Sequence, residues 1–462
     1  MLLVVVLLLV FSVDNPPPGS MEARVNHELA GKRFDFVGWE LGAIWQKVTH
    51  GLVSAQRFMD EQDRRDFLLD YLALVGETQR LEGEINRAYA DPEIKDADAA
   101  TAELRARRRE LRGEMEDRQL LAEAILQEQI ASVLKDEGFG ALGQELPPVE
   151  MHFTSLPRLL VVSPRDRIER VYQLSLTHGL GTAESESIEG RIDRTFDVSS
   201  LITSIGGLSA YPSMLLESSS LNWVAEVTAH EWTHHYLAPR RLGRNYLSSP
   251  ETRTINETVA SIVGREVGRK VMARYYPEHL PPEPEPQPEP EEPAEEEPAE
   301  PPEFDFRMEM RETRIRVDEL LAEGKIEEAE AYMERRRRVF VAHGYVIRKL
   351  NQAYFAFHGA YADQPGAAGE DPIGPAVQAL FARSPDLHTF VNRVARVTTL
   401  DELERLLSKV GSQPGLTRPR AEESASVQRS GGSRLGKWAA SDAPRDENLK
   451  LARLSLRSFG IR

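Results

Sequence analysis

His230 and His234 stand four residues apart, and Glu231 follows the first of them. Residues four apart share one face of a helix, so two imidazoles at this spacing reach a common point. A zinc ion takes about four ligands in a tetrahedron, and such a pair supplies half of them. The carboxylate beside the first histidine is placed to act as general base toward a water on the metal rather than as a ligand. The bland alternative is a surface helix rich in His and Glu. Against it, the lead-in Leu221 to Ala229 is amphipathic and Pro239 closes the segment, so the motif sits on a helix. His235 is adjacent in sequence but points elsewhere on that helix.

The chain contains no Cys, which excludes disulfides and thiolate ligands and leaves His and carboxylate donors. A catalytic zinc keeps its fourth position for water or substrate, so one protein ligand remains to be found. The next helix is expected to begin near Thr252 to Thr254. On it Glu257, Ala260, Ser261 and Gly264 share one face, a carboxylate flanked by small side chains. Small residues allow close helix approach, which favours Glu257 as the third ligand. Glu251, placed in a loop after a proline, and Glu266, off the small-residue face, are its competitors. Without a metal, Glu257 would be a first-turn carboxylate stabilised by the helix dipole.

Attack on a carbonyl builds negative charge on its oxygen, so a donor besides the metal is expected. Tyr354, His358 and Tyr361 follow one another at spacings of four and three along a helical face. Such a stripe is more often packing, yet it is the candidate source of the donor.

The pair His230-Glu231-x-x-His234 and Asn256-Glu257-x-x-Ala260 resembles the gluzincin metallopeptidases, the thermolysin and zinc-aminopeptidase type. The wider layout is similar to a bacterial family of membrane-associated zinc aminopeptidases, in which a helical segment follows the Asn-Glu motif. The resemblance spans about Leu201 to Tyr361. It implies a thermolysin-like zinc-helix core, Zn2+ bound by His230, His234 and Glu257, water activated by Glu231, and a peptide or protein substrate. It also implies a strand edge for the substrate backbone upstream of the zinc helix. The candidate is Ile205 to Tyr211, where Gly206 and Gly207 permit close approach of a main chain. Two features depart from the pattern. The 22 residues between His234 and Glu257 are slightly more than in thermolysin-like members, and Ser261 stands where those enzymes place an acidic residue. Aminopeptidase and endopeptidase both stay open, because the amine-recognising motif of one branch has no clear counterpart. A different class of function is an envelope-tethered helical interaction protein with a structural or vestigial zinc site. A third is a zinc hydrolase acting on a non-peptide amide.

These residues must be held by the rest of a 462-residue chain, long enough for a large core. The fold class expected is α+β and mostly helical: a zinc-helix core with a small sheet, preceded by a helical hairpin and followed by a helical C-terminal part. Residues 60–143 form the hairpin. Its first helix carries Phe67, Leu68, Tyr71, Leu72, Val75, Leu81 and Ile85 on one face, and its second runs from Ala99 to about Asp136. Residues 147–278 are the catalytic core, with short strands at Val149 to Phe153, Leu159 to Val162 and Ser200 to Met214. Residues 304–410 are helical again, from Arg311 to Arg338 with a turn at Gly324, on through Val339 to Tyr361, and at Ile373 to Phe381.

Between these parts, 279–303 is a linker in which ten Pro and ten Glu alternate, and such a composition cannot form a core. Those glutamates supply ten of the seventeen net negative charges. The remainder lacks the concentrated positive footprint of a nucleic-acid binder. The tail 411–462, with ten Lys/Arg against five Asp/Glu, is basic and aperiodic, and is expected to be disordered. At the other end, 1–13 is apolar from Leu2 to Val13 except Ser12, and 14–59 is an N-terminal linker and the start of the helical region. The apolar run is too short for the roughly 20 residues a spanning helix needs. It also lacks the basic flank of a signal peptide. It is read as a degenerate signal or truncated membrane anchor, which would place the catalytic part outside the cytoplasm, in the cell envelope.

Overall fold

The computed structural model describes residues 19–51, 55–91, 93–141, 143–280, 304–364 and 366–411. The expectations for 1–13, for most of the Pro/Glu segment and for the basic tail lie outside these residues. Among the described residues no helix is long and apolar enough to cross a membrane.

The architecture is mostly helical with two three-stranded sheets. Helices α1 (Met21–Glu28) and α2 (Phe36–Gly51) precede the hairpin, which consists of α3 (Glu61–Ala90) and α4 (Ala102–Leu134). The Asp60 carboxylate starts α3 by accepting the Asp63 N–H, satisfying one of the free amides of the first turn. Leu68, Tyr71, Leu72, Val75, Leu81 and Ile85 are buried as their spacing requires, while Phe67 is partly buried at the margin. Contacts between Glu61 and Gln129 at one end and Glu82 and Arg112 nearer the other make the pair antiparallel.

Besides a short antiparallel ribbon of Gly140–Ala141 with Gln144–Glu145, the strands are β1 (Met151–Phe153), β2 (Arg158–Pro164), β3 (Tyr172–Leu176), β4 (Val198–Thr203), β5 (Gly207–Leu208) and β6 (Ser213–Leu215). One sheet has the order β3-β2-β4 and is antiparallel. The other has the order β1-β6-β5, with β1 parallel to β6. Side chains alternate faces along a strand. Leu159 and Val161 of β2 therefore meet the C-terminal helices on one side, while Leu160 and Val162 meet Ile188 and Ile192 of α5 (Thr182–Phe196) on the other. Both faces are covered, so this stretch of β2 is continuously apolar. Strand β3 and helix α5 are additions to the elements expected from sequence.

Helices α6 (Leu221–Leu237) and α7 (Pro250–Tyr275) follow, each begun by a serine, Ser220 and Ser249, whose side chain accepts an amide three residues on. The C-terminal part contains α8 (Phe306–Ala322), α9 (Ile326–Ala342), α10 (Gln352–His358), α11 (Ile373–Ala382), α12 (Leu387–Val394) and α13 (Leu400–Gly411). Gly324, at φ 74°, makes the turn between α8 and α9. Helix does not continue through Val339 to Tyr361 as the pattern suggested. Gly344 adopts φ 84°, and α10 begins afresh where Asn351 accepts the Tyr354 N–H.

The largest core is shared by the hairpin, both motif helices and the terminal helices α11 to α13. Trp232, between the two motif histidines, turns to this core, packs edge-on to Phe139 and donates its Nε1–H to the Pro147 carbonyl at 2.7 Å. Burial of one such side chain stabilises by roughly 1.5–3 kcal/mol. That anchor fixes the rotation of α6, and the opposite face carries the histidines.

Candidate metal centre

Helices α6 and α7 run antiparallel at very short range. A Cβ on Gly264 would stand 2.7 Å from the Glu226 carbonyl oxygen and 3.3 Å from His230 Cβ, and one on Gly268 would stand 2.6 Å from Glu226 Cγ. Only hydrogen fits at these positions, so the small-residue face sets the helix separation.

The consequence is convergence of three donors. His230 Nε2 and His234 Nε2 lie 3.1 Å apart, and Glu257 Oε2 lies 3.4 Å from the first and 3.5 Å from the second. Tetrahedral ligands at about 2.0–2.1 Å from zinc are separated by about 3.3–3.4 Å. The three atoms therefore outline one face of such a tetrahedron, and together they form the metal-ligand cluster expected from sequence. Glu257 Oε2 is buried without a hydrogen-bond partner, although Oε1 of the same carboxylate accepts the Tyr246 hydroxyl. The bare oxygen is the one facing the two imidazoles, so the donor set fits a divalent cation such as Zn2+.

The surroundings orient each ligand. His234 Nδ1–H donates to Asn256 Oδ1 at 2.8 Å, which turns the Nε2 lone pair inward. Arg170 donates to the Tyr246 hydroxyl at 3.5 Å, and the Arg253 guanidinium lies 5.9 Å from the same ring. Burial pulls the His234 pKa down, but the charge of the nearby Glu257 carboxylate, with Glu231 and Asn256, outweighs it and lifts the value to about 9. Burial likewise pushes Glu257 up, and the two histidines reverse this and hold it well below the usual carboxylate range. Negative charge is thus concentrated where a cation would sit.

Glu231 is buried beside the ligands, and its Oε2 accepts the Ser209 hydroxyl. The paired glycines upstream make room for this helix. A Cβ on Gly206 would meet the Trp223 ring at 3.1 Å, and one on Gly207 would meet Val227 at 2.9 Å and intrude on the Glu231 carboxylate. Gly206 and Gly207 nevertheless line the cleft, and β5 is an edge strand of its sheet.

That cleft, of about 260 Å³, is bordered by His230, Glu231, Tyr354, His358 and Tyr361. All three members of the expected donor stripe therefore reach it. Tyr361 lies beyond the end of α10, with its ring 6.2 Å from that of His230. Burial, then Glu257, Tyr246 and Glu231, push its hydroxyl pKa well up, so it stays a proton donor in hydrogen bonds. Tyr354 and His358 pair with each other at 4.2 Å between rings, and burial lowers the His358 pKa to about 4, which keeps that imidazole neutral.

The competitors for third ligand are engaged elsewhere. Glu251 accepts the Leu400 N–H at 2.6 Å, and Glu266 pairs with Arg269 one turn along α7. His235 packs edge-on against Tyr211. Tyr246, Ser209, Arg170 and Arg253 were not singled out from sequence, because each reaches the centre from a loop or from a helix position without a motif. Asn256 did carry a signal, as the neighbour of Glu257. No family model matches the chain, and no curated protein or solved structure matches it either.

Proposed function

We propose that the chain is a zinc-dependent peptidase that hydrolyses peptide bonds with Glu231 as the base. The observation that carries this reading is the convergence of His230, His234 and Glu257 at tetrahedral spacing beside a cleft lined by His230 and Glu231. When bound, zinc would polarise the scissile carbonyl and lower the pKa of a water toward about 7. Glu231 takes the proton of the attacking water and returns it to the leaving amine. Ser209 holds that carboxylate in place. Tyr361 donates its hydroxyl hydrogen toward the carbonyl oxygen as charge builds there, with Tyr354 and His358 walling the cleft behind it.

A structural zinc would be closed by four protein ligands, whereas three donors beside an open cleft favour the catalytic reading over an envelope-tethered scaffold. The apolar Leu2 to Val13 run supports placing the protein at the cell envelope, with its catalytic part outside the cytoplasm.

The test is Glu231→Gln. Metal analysis should return one zinc per chain in wild type and in this variant, and none in His230→Ala or Glu257→Ala. Cleavage of a broad peptide library should be lost in Glu231→Gln. Full hydrolysis by that variant overturns the role of Glu231. A zinc-loaded wild type that cleaves no peptide but cleaves other amides supports the non-peptide hydrolase.

A further inference from the structure

Glu226 lies one helical turn before His230 on the same side of α6, and its side chain borders the same cleft as His230 and Glu231. Its Oε1 accepts the Asn222 amide at 2.8 Å. Among the described residues it has no ion-pair partner. Arg265, which also borders the cleft and whose charge reaches Glu226, is held by Asp363. Burial pushes the Glu226 carboxyl up, and the Asn222 hydrogen bond and the Arg265 charge offset this only in part.

The position is built. Gly264 and Gly268 leave the space that the Glu226 backbone and Cγ occupy. The cleft that Glu226 borders is lined by Trp223, Phe306, Met310, Tyr354 and Phe357, and also by Arg265 and Arg307. An acid among aromatic and apolar walls suits an organic cation, which gains an ion pair at one end and contact with ring faces along its length.

We propose that Glu226 is the anionic end of a specificity subsite, and that the cleft takes a substrate carrying an ammonium or guanidinium group beside the bond to be cut. This rests on the peptidase reading of the same cleft. The cation comes either from a free N-terminus or from a Lys or Arg side chain. One turn of helix is about 5.4 Å, so the recognised group belongs to a residue adjacent to the scissile bond.

The experiment compares kcat/KM of the zinc-loaded protein on matched peptides with Lys, norleucine or Glu flanking the cleaved bond, each with a free and an acetylated N-terminus. A charge-assisted contact predicts a roughly 10- to 100-fold preference for the cationic member. Glu226→Gln keeps the volume and can still accept from Asn222, so the preference should collapse toward parity. A preference for free over acetylated N-termini that Lys and norleucine peptides share assigns the cation to the N-terminus. Persistence with acetylated Lys peptides assigns it to the side chain. In wild type, equal rates for Lys and norleucine peptides together with equal rates for free and acetylated N-termini, or an undiminished preference in Glu226→Gln, overturn the subsite and leave the peptidase reading standing. If no peptide is cleaved, that reading fails, and calorimetric binding of Nα-acetyl-lysinamide and of norleucinamide, each against Nα-acetyl-norleucinamide, decides the subsite. Tighter binding of either cationic compound that is lost in Glu226→Gln sustains it, and equal binding of all three overturns it.

Discussion

Replacing Gly264 by Ala tests whether the nearness of the two motif helices is what brings Glu257 to the histidines. The new Cβ would lie 2.7 Å from the Glu226 carbonyl oxygen and 3.3 Å from His230 Cβ. Carbon and oxygen in ordinary contact sit at roughly 3.3–3.6 Å, so the helices must part by about 0.6 Å or more. Metal bonds tolerate only about 0.2 Å of displacement. The expected outcome is a zinc affinity 10- to 100-fold weaker, on the scale seen when groups supporting a metal site are disturbed. Stability should fall by about 1–3 kcal/mol from overpacking, partly offset by the 0.5–1 kcal/mol that Ala gains over Gly in a helix. Zinc affinity is read by competition with a chromophoric chelator, and stability by thermal unfolding with and without zinc. Gly83→Ala is the control. That glycine lies within α3 with no atom within 4 Å of a new Cβ, so the substitution should stabilise slightly and leave zinc affinity alone. A Gly264→Ala protein that binds zinc like wild type and melts no lower would refute the claim that helix proximity delivers the third ligand.

Tyr246→Phe removes the hydroxyl that donates to Glu257 Oε1 and leaves a buried carboxylate oxygen bare. The cost should be about 1–3 kcal/mol in stability, with a 10- to 100-fold loss of zinc affinity; an unchanged chelator titration would speak against a supporting role. The His234 pKa of about 9, against 6.5 when exposed, makes the zinc-stripped protein pH-sensitive. The stability it contributes, up to about 3 kcal/mol, is complete below pH 6.5 and lost as pH rises through 9. Glu257, held low, contributes above pH 4.5 and less as pH falls. Urea titrations of stripped protein should therefore show an alkaline loss that zinc loading abolishes, and parallel curves with and without zinc would contradict this origin.

Much of the helical framework was legible because one face of each helix is apolar at helical spacing. Leu68 to Ile85 is the plainest case, and the hairpin formed as expected. Helix α5 was not. Its buried face alternates Ile188 and Ile192 with Ser185 and Glu189, and Glu189 belongs there only because Arg348 and the Ile202 N–H arrive from distant segments. The break before α10 was equally hidden, since the apolar pattern gives no warning that Gly344 turns left-handed.

At the metal centre, residue type and short spacing were enough for His230, Glu231 and His234, because a single helix places all three by its own periodicity. The absence of cysteine narrowed the remaining donor to oxygen or nitrogen, and the small-residue face singled out Glu257. Only tertiary packing decided the rest. The donor distances of 3.1 to 3.5 Å depend on two helices touching across Gly264, and the grip on each ligand depends on Tyr246, Asn256 and Ser209. Contacts of that kind join residues far apart in the chain, and no local periodicity encodes them.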